Sequence, residues 1–274
     1  MALHKITSVE GGGSKELTST VRVASMLLQA IGVSVHSLVK LTATLDMGIR
    51  DCFGIARSIS EGCLNIAYIL AEGEDAANKA IRHAFQKNYR DLKREGEFGG
   101  FRFLVGVAGE IPSPASVPGL EDSLKEFSDK KGRGKGWTEK SVEDRLSSVR
   151  NRFGRKGIGL FGAVLSIYRH SSEILHGSFS GVSYFWTGGD SLPKNREEVD
   201  ALFLSHFISV FGAAFSAISD VLDVIAAEYN LPELKRANAE QLNLLENIIT
   251  SDELDAALSR KGKALHPIAK LAYS

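Results

Sequence analysis

Apolar residues recur along most of the chain at spacings of three and four, the period of an amphipathic helix, and nowhere alternate convincingly as a half-buried strand would. Leu17, Val21, Ala24, Leu28, Ile31, Val35, Leu38 and Leu45 trace one such face. Ser14 and Glu16 supply a cap and an acidic first turn, so a long first helix is expected to reach about Leu45. Asp46 to Gly48 interrupts it. A second helix follows over about 49–70 on Phe53, Ile55, Ile59, Leu64, Ile66 and Leu70, and a third over about 75–94 after an acidic start. The glycine- and aromatic-rich stretch 98–109 matches neither helical nor phosphate-loop spacing and stays unassigned. Three prolines, Pro112, Pro114 and Pro118, mark a connection to a short charged helix over 120–130 and a basic, glycine-rich loop over 130–136.

Thr138 is placed to cap a helix reaching Phe153, and another helix runs over 159–178 with Gly177 as its terminator. Residues 179–193, with Tyr184, Phe185 and Trp186, read as an aromatic loop. A long apolar helix then starts near Glu197 and is closed by Pro232, and two short helices, about 239–249 and 252–260, finish the chain. The fold class expected is therefore all-α. It divides into a flexible lead-in over 1–13, a multi-helix bundle over 14–230, and C-terminal short helices over 231–274 packed on or trailing the bundle.

Polar residues interrupt two of the apolar faces. In the 159–178 helix, Tyr168, Ser172 and His176 stand at i, i+4 and i+8, with Arg169 and Glu173 one position round. In the second helix, Arg57, Glu61 and Asn65 do the same, with Tyr68 close to their line. Buried polar groups need partners, so the two stripes are expected to face each other between two central helices, the 159–178 helix being the one the rest covers. Glu61 is expected to accept from His176 or Tyr168, with Arg57 nearby. A Glu61–His176 pair would raise the histidine pKa and suit it to proton transfer, although the same network serves equally well as a purely structural one.

Charge narrows the field. Lys plus Arg equals Asp plus Glu, 33 each, so no global field draws the protein to nucleic acid and any such contact must be local. The basic outer face of the third helix (Arg82, His83, Lys87, Arg90, Lys93, Arg94) is one place for it, or simply a solvated surface. Cys52 and Cys63 are eleven residues apart on one helix, about 16 Å along its axis, too far for a bridge; two reduced core cysteines and an N-terminus without a signal pattern lead to the expectation of a cytoplasmic protein. Ala201 to Ser219 carries no acid, Lys or Arg. Asp200, Asp220, Asp223 and His206 nonetheless favour a buried bundle helix over a membrane span, with Ser205, Ser209, Gly212 and Ser216 as its close-packing stripe.

No zinc-type spacing, nucleophile elbow or phosphate loop is present, so no metal or cofactor is expected. Arg169-x6-His176 does resemble the R-x4–6-H motif of the HEPN superfamily, helical domains that include metal-independent ribonucleases of toxin and phage-defence systems; His170 after the arginine also fits. A second match, Arg260-x5-His266, is broken by Gly262 and Pro267 and lacks a helical setting. That resemblance implies His176 as acid/base and Arg169 as phosphate contact, RNA as partner and a homodimer as the working unit. A closer resemblance covers about 50–180. Arg57, Glu61, Tyr68, Trp137, Ser141, Arg145, Tyr168, Ser172 and His176 occur in the order and contexts of the bacterial family catalogued as domain of unknown function 5677, which implies a helical fold and no established activity. Two readings therefore stand. One is an RNA-cleaving or RNA-binding effector of stress or phage defence; the other is a non-catalytic bundle that binds a partner protein or small ligand, with the polar stripe purely structural.

Overall fold

The structure, a computed structural model, describes residues 17–106 and 109–249. In chain order it consists of α1 (Ser19–Leu41), α2 (Ile49–Glu72), α3 (Glu74–Asp91), a hairpin of β1 (Lys93–Phe98) and β2 (Phe101–Gly106), α4 (Leu120–Glu126), α5 (Val142–Phe153), α6 (Ile158–Leu175), α7 (Phe179–Thr187), α8 (Arg196–Glu228) and α9 (Pro232–Ile249). The all-α bundle expected from the periodicity is what forms, with one small antiparallel hairpin added to it.

Local chemistry sets the helix ends. Thr18 caps α1, its hydroxyl accepting from Val21 N–H at 3.3 Å. Glu74, in the first turn of α3, accepts from the Ser19 and Thr20 amides at 3.1 and 3.0 Å, so one carboxylate ties the starts of two helices together. The cap expected at Ser14 lies outside the described residues, as do the lead-in and the helix expected at 252–260. Helix α1 stops at Leu41 rather than Leu45, because the Thr42 hydroxyl donates back to the Leu38 carbonyl at 2.7 Å and Asp46 closes a turn on Gly48 N–H at 2.8 Å. Ser141, not Thr138, caps α5: it forms a reciprocal capping box with Asp144, while Thr138 accepts from Lys140 N–H just upstream.

Two segments depart from the expected reading. The unassigned stretch 98–109 supplies β2, and the third helix ends at Asp91 because Lys93–Phe98 turns into β1 and pairs with it. The charges of β1 resemble an exposed helix face, and its alternation emerges only when the two strands are read across the register. The aromatic loop is in fact helix α7, started by Ser178, whose hydroxyl accepts from Gly181 N–H at 3.1 Å. The first of the two short C-terminal helices is longer than expected, beginning at Pro232 as α9.

The centre of the bundle is α2 rather than α6. More than half of α2 is buried, and α1, α5, α6 and α8 all pack on it. Its two cysteines are free and sealed in the core; burial pushes the Cys52 thiol up to about 11 and Cys63 higher still. By length and composition α1 and α8 are each apolar enough to cross a membrane, and in the bundle 44% of the apolar window of α8 is buried against 17% of that of α1. His206 of α8 is buried, donates from Nε2 to the Phe185 carbonyl at 2.8 Å and stacks on the Phe185 ring.

Helix α6 is seated on α8 through its first turn. A Cβ at Gly159 would stand 2.9 Å from the Ser216 carbonyl oxygen and 3.0 Å from Asp220, so only glycine permits this approach. In return Asp220 accepts from Leu160 N–H at 2.8 Å and from Gly159, placing an acid at the N-terminus of α6. Burial nevertheless outweighs these donors, and with the charge of nearby Asp223 it pushes the Asp220 carboxyl up to about 7. A carboxyl whose folded pKa lies above its unfolded one costs stability as pH rises from about 4 to about 7, the cost being complete above that. Asp220→Asn is thus expected to gain on the wild type in thermal-denaturation midpoint across that window and to be level with it, or below it, near pH 4.

Candidate functional site

Helices α2 and α6 run antiparallel. Arg50 Nη2 donates to the Ile174 carbonyl at 3.3 Å, Gly54 lies against Leu175, and Arg57 reaches Tyr168 two turns further on. The stripes do meet, though not by the pairing expected. Arg57 Nε donates to Glu61 at 3.0 Å, and its guanidinium lies over the Tyr168 ring, 4.2 Å from the centroid. Glu61 is therefore engaged by Arg57 of its own helix instead of by His176 or Tyr168. The reason is reach: Arg57 and Glu61 are adjacent turns of α2, whereas His176 sits at the other end of α6, close to Arg50.

The ridge continues beyond α6. One turn after Glu61, Asn65 accepts from Arg145 Nη1 of α5 at 2.5 Å, and Arg145 Nε also donates to the Ser141 carbonyl at 3.4 Å. Next comes Tyr68, buried, with its ring 5.7 Å from that of Trp137. Residues of α2, α5, α6 and the loop before α5 thus form one half-buried ridge. Helical spacing does not single out Arg145, Ser141 and Trp137, since they join from another part of the chain; only the family resemblance carries their signal.

Two predicted residues stand apart from that ridge. Arg169 and His176 are both exposed, separated by two turns of α6, and neither side chain takes part in a hydrogen bond or ion pair among the described residues. His176 forms the C-cap of α6, its N–H donating to the Ser172 carbonyl at 3.0 Å, and Ser172 is half-buried beside it. His170 turns inward and stacks on Tyr184 at 3.9 Å; burial, then the charge of Arg169, holds its pKa below the ordinary histidine value. Tyr184 to Trp186 are readable from the sequence as aromatics that could lid the polar stripe; they lie on helix α7, and Tyr184 covers His170 beside the motif.

Two contiguous depressions of about 410 and 260 Å³ lie between α1 and α2. Ser34 and Ser58 are shared by both, Leu175 closes one end, and Glu61 and Asn65 line the other. The basic face expected on the third helix is largely engaged: Arg82 of α3 makes a two-pronged bridge to Glu126, Arg90 of α3 bonds Gln86 and Ser128, and Arg94, which falls in β1, pairs with Asp91. Among the described residues, no group of three or more His, Cys, Asp or Glu side chains is gathered as metal ligands would be.

A family model, described as a family of unknown function (DUF5677), matches residues 28–192. The chain belongs to DUF5677. No curated protein and no solved structure matches it. The DUF5677 match runs from within α1 through α7 and so holds every member of the ridge, together with Arg169 and His176. Helix α8, which supplies Asp220 and His206, lies beyond it.

Asn65 and Arg145 join two helices far apart in sequence through a half-buried, charge-assisted bond. Asn65→Ala and Arg145→Ala are each expected to lower unfolding free energy by about 1–2 kcal/mol, and the double substitution by little more than either alone, as read by urea denaturation.

Proposed function

We propose that this DUF5677 protein acts on RNA, with His176 as the acid/base and Arg169 as the phosphate contact of a metal-independent endoribonuclease. The observation that carries the reading is the division of labour on α6. Tyr168 is engaged with Arg57 and anchors the helix, while Arg169 and His176 stand two turns apart in solvent, without partners among the described residues. Both side chains are accessible to an RNA backbone, and the arginine is able to take a phosphate bidentately.

The chemistry asks little of the protein. The 2′-hydroxyl of the ribose attacks the adjacent phosphorus, the 5′-oxygen leaves, and a 2′,3′-cyclic phosphate forms. His176 takes the proton from the hydroxyl or delivers one to the leaving oxygen, and Arg169 stabilises the charge that gathers on the phosphoryl oxygens. The resemblance to HEPN ribonucleases supports the same assignment and suggests the setting, an effector in stress or phage defence.

A second reading is supported by the ridge itself. Arg57, Glu61, Asn65, Arg145 and Tyr168 satisfy one another, as a structural network does, and the depressions between α1 and α2 offer a non-catalytic bundle a place for a partner segment or small ligand.

The test is incubation of the purified protein with RNA beside His176→Ala and Arg169→Ala. Both residues are exposed, so the variants are expected to keep the wild-type circular dichroism and melting temperature. Cleavage is expected to fall about 10²- to 10⁴-fold for His176→Ala and by a comparable factor for Arg169→Ala. No cleavage by the wild type, or cleavage indifferent to both changes, overturns the ribonuclease reading in favour of the binding one.

A further inference from the structure

The hairpin β1–β2 stands out from the bundle, every residue of both strands exposed. Its turn, Gly99-Gly100, has φ of 60° and 81°, the pair of positive angles a tight two-residue hairpin turn requires. The register pairs Arg94 with Val105, Gly96 with Phe103 and Phe98 with Phe101, which puts these six on one face. Lys93, Glu95, Glu97, Arg102 and Leu104 fall on the other. The hairpin is therefore amphipathic: its charged face carries one apolar residue, Leu104, and its mainly apolar face carries one charge, Arg94 at the base, beside Phe98, Phe101, Phe103 and Val105, which are 80, 73, 58 and 69% exposed. Isolated two-stranded hairpins are marginal in water, and a contiguous aromatic face of this kind marks an interaction surface.

Its charges select the kind of partner. Lys93 and Arg102 both pair with Glu95, and Arg94 pairs with Asp91 at the base of the hairpin. With Glu97 set across from Arg102 in the register, the three cations are balanced by three carboxylates, Asp91, Glu95 and Glu97, which leaves little net attraction for a phosphate backbone or an acidic lipid surface. The complementary partner is an uncharged apolar face, and the hairpin is itself such a face. Its relief is also self-complementary: Phe103 rises directly across from Gly96, where a Cβ would meet nothing within 4 Å. Rotation by 180° about an axis parallel to the strands lays β1 of one copy over β2 of the other at the same level. Phe103 of each copy then fills the gap at Gly96 of its mate, and Phe98 meets Phe101.

We propose that the apolar face of the β1–β2 hairpin is a homodimer interface, two copies packing hairpin on hairpin about a two-fold axis. The contact is isologous and closes on itself, so it yields a dimer rather than a chain of copies. It does not depend on the RNA reading, and either result of the cleavage assay leaves it standing.

Sedimentation velocity on the full chain across the micromolar range is expected to show a concentration-dependent dimer. Phe101→Ser with Phe103→Ser should leave a monomer with unchanged helical circular dichroism. Gly96→Leu is the sharper probe. The isolated protomer has room for the new side chain, and leucine suits a strand better than glycine, yet it occupies the space of the partner copy's phenylalanine; the dissociation constant is expected to rise about tenfold or more. A wild type that stays monomeric throughout, or a dimer indifferent to both sets of changes, overturns the proposal. So does a monomer whose hairpin instead binds phosphatidylcholine vesicles or RNA and loses that binding in the double variant.

Discussion

A helix covered by four others cannot carry an arginine, a glutamate and an asparagine in successive turns unless each finds a partner, and this constraint on α2 governs how the bundle is assembled. Leaving such a group unsatisfied costs on the order of 1–3 kcal/mol where it is sealed from water, and less on this half-buried ridge, where the Glu61 side chain keeps 38% of its surface exposed. Arg57 answers it with Glu61 and the face of Tyr168, and Asn65 answers it with Arg145. Those contacts fix the rotation of α6 and α5 about α2.

The rotation of α6 decides which of its residues meet solvent. With Tyr168 turned to Arg57 and His170 turned to Tyr184, Arg169 is left outside, and so is His176 at the C-terminal end. At the other end, Gly159 and Asp220 hold the first turn of α6 against α8. The helix is thus held at its start by α8, at its middle by Arg57 and near its end by Arg50, with the His176 side chain turned to solvent at the C-cap.

Apolar surface left uncovered is unevenly distributed. On α1 it includes Met26 and Val33, on α6 Phe161 and Leu165, and on the hairpin it is gathered into one aromatic face opposite a charged one. Single exposed apolar residues are ordinary on any protein. The hairpin differs because its register sorts the residues by chemistry, and because its cations are already balanced by neighbouring carboxylates.

The chain by itself determined the elements whose information is local. Helical periodicity placed α2, α6 and α8 nearly to their ends and α1 with its last turn overrun, and the i, i+4 spacing identified Arg57, Glu61, Asn65 and Tyr168 as polar positions that had to be satisfied. It could not choose among partners. Glu61 was expected to meet His176 or Tyr168, and its partner is instead Arg57, because the antiparallel crossing sets His176 at the far end of the interface. Arg145 is eighty residues from Asn65, a separation that no helical period links. The hairpin escaped for the same reason, since the alternation of Lys93–Phe98 acquires meaning only when each residue is set across from its partner in Phe101–Gly106. Periodicity is a property of neighbours along the backbone, whereas pairing, burial and exposure are properties of neighbours in space, and only the tertiary structure supplies those.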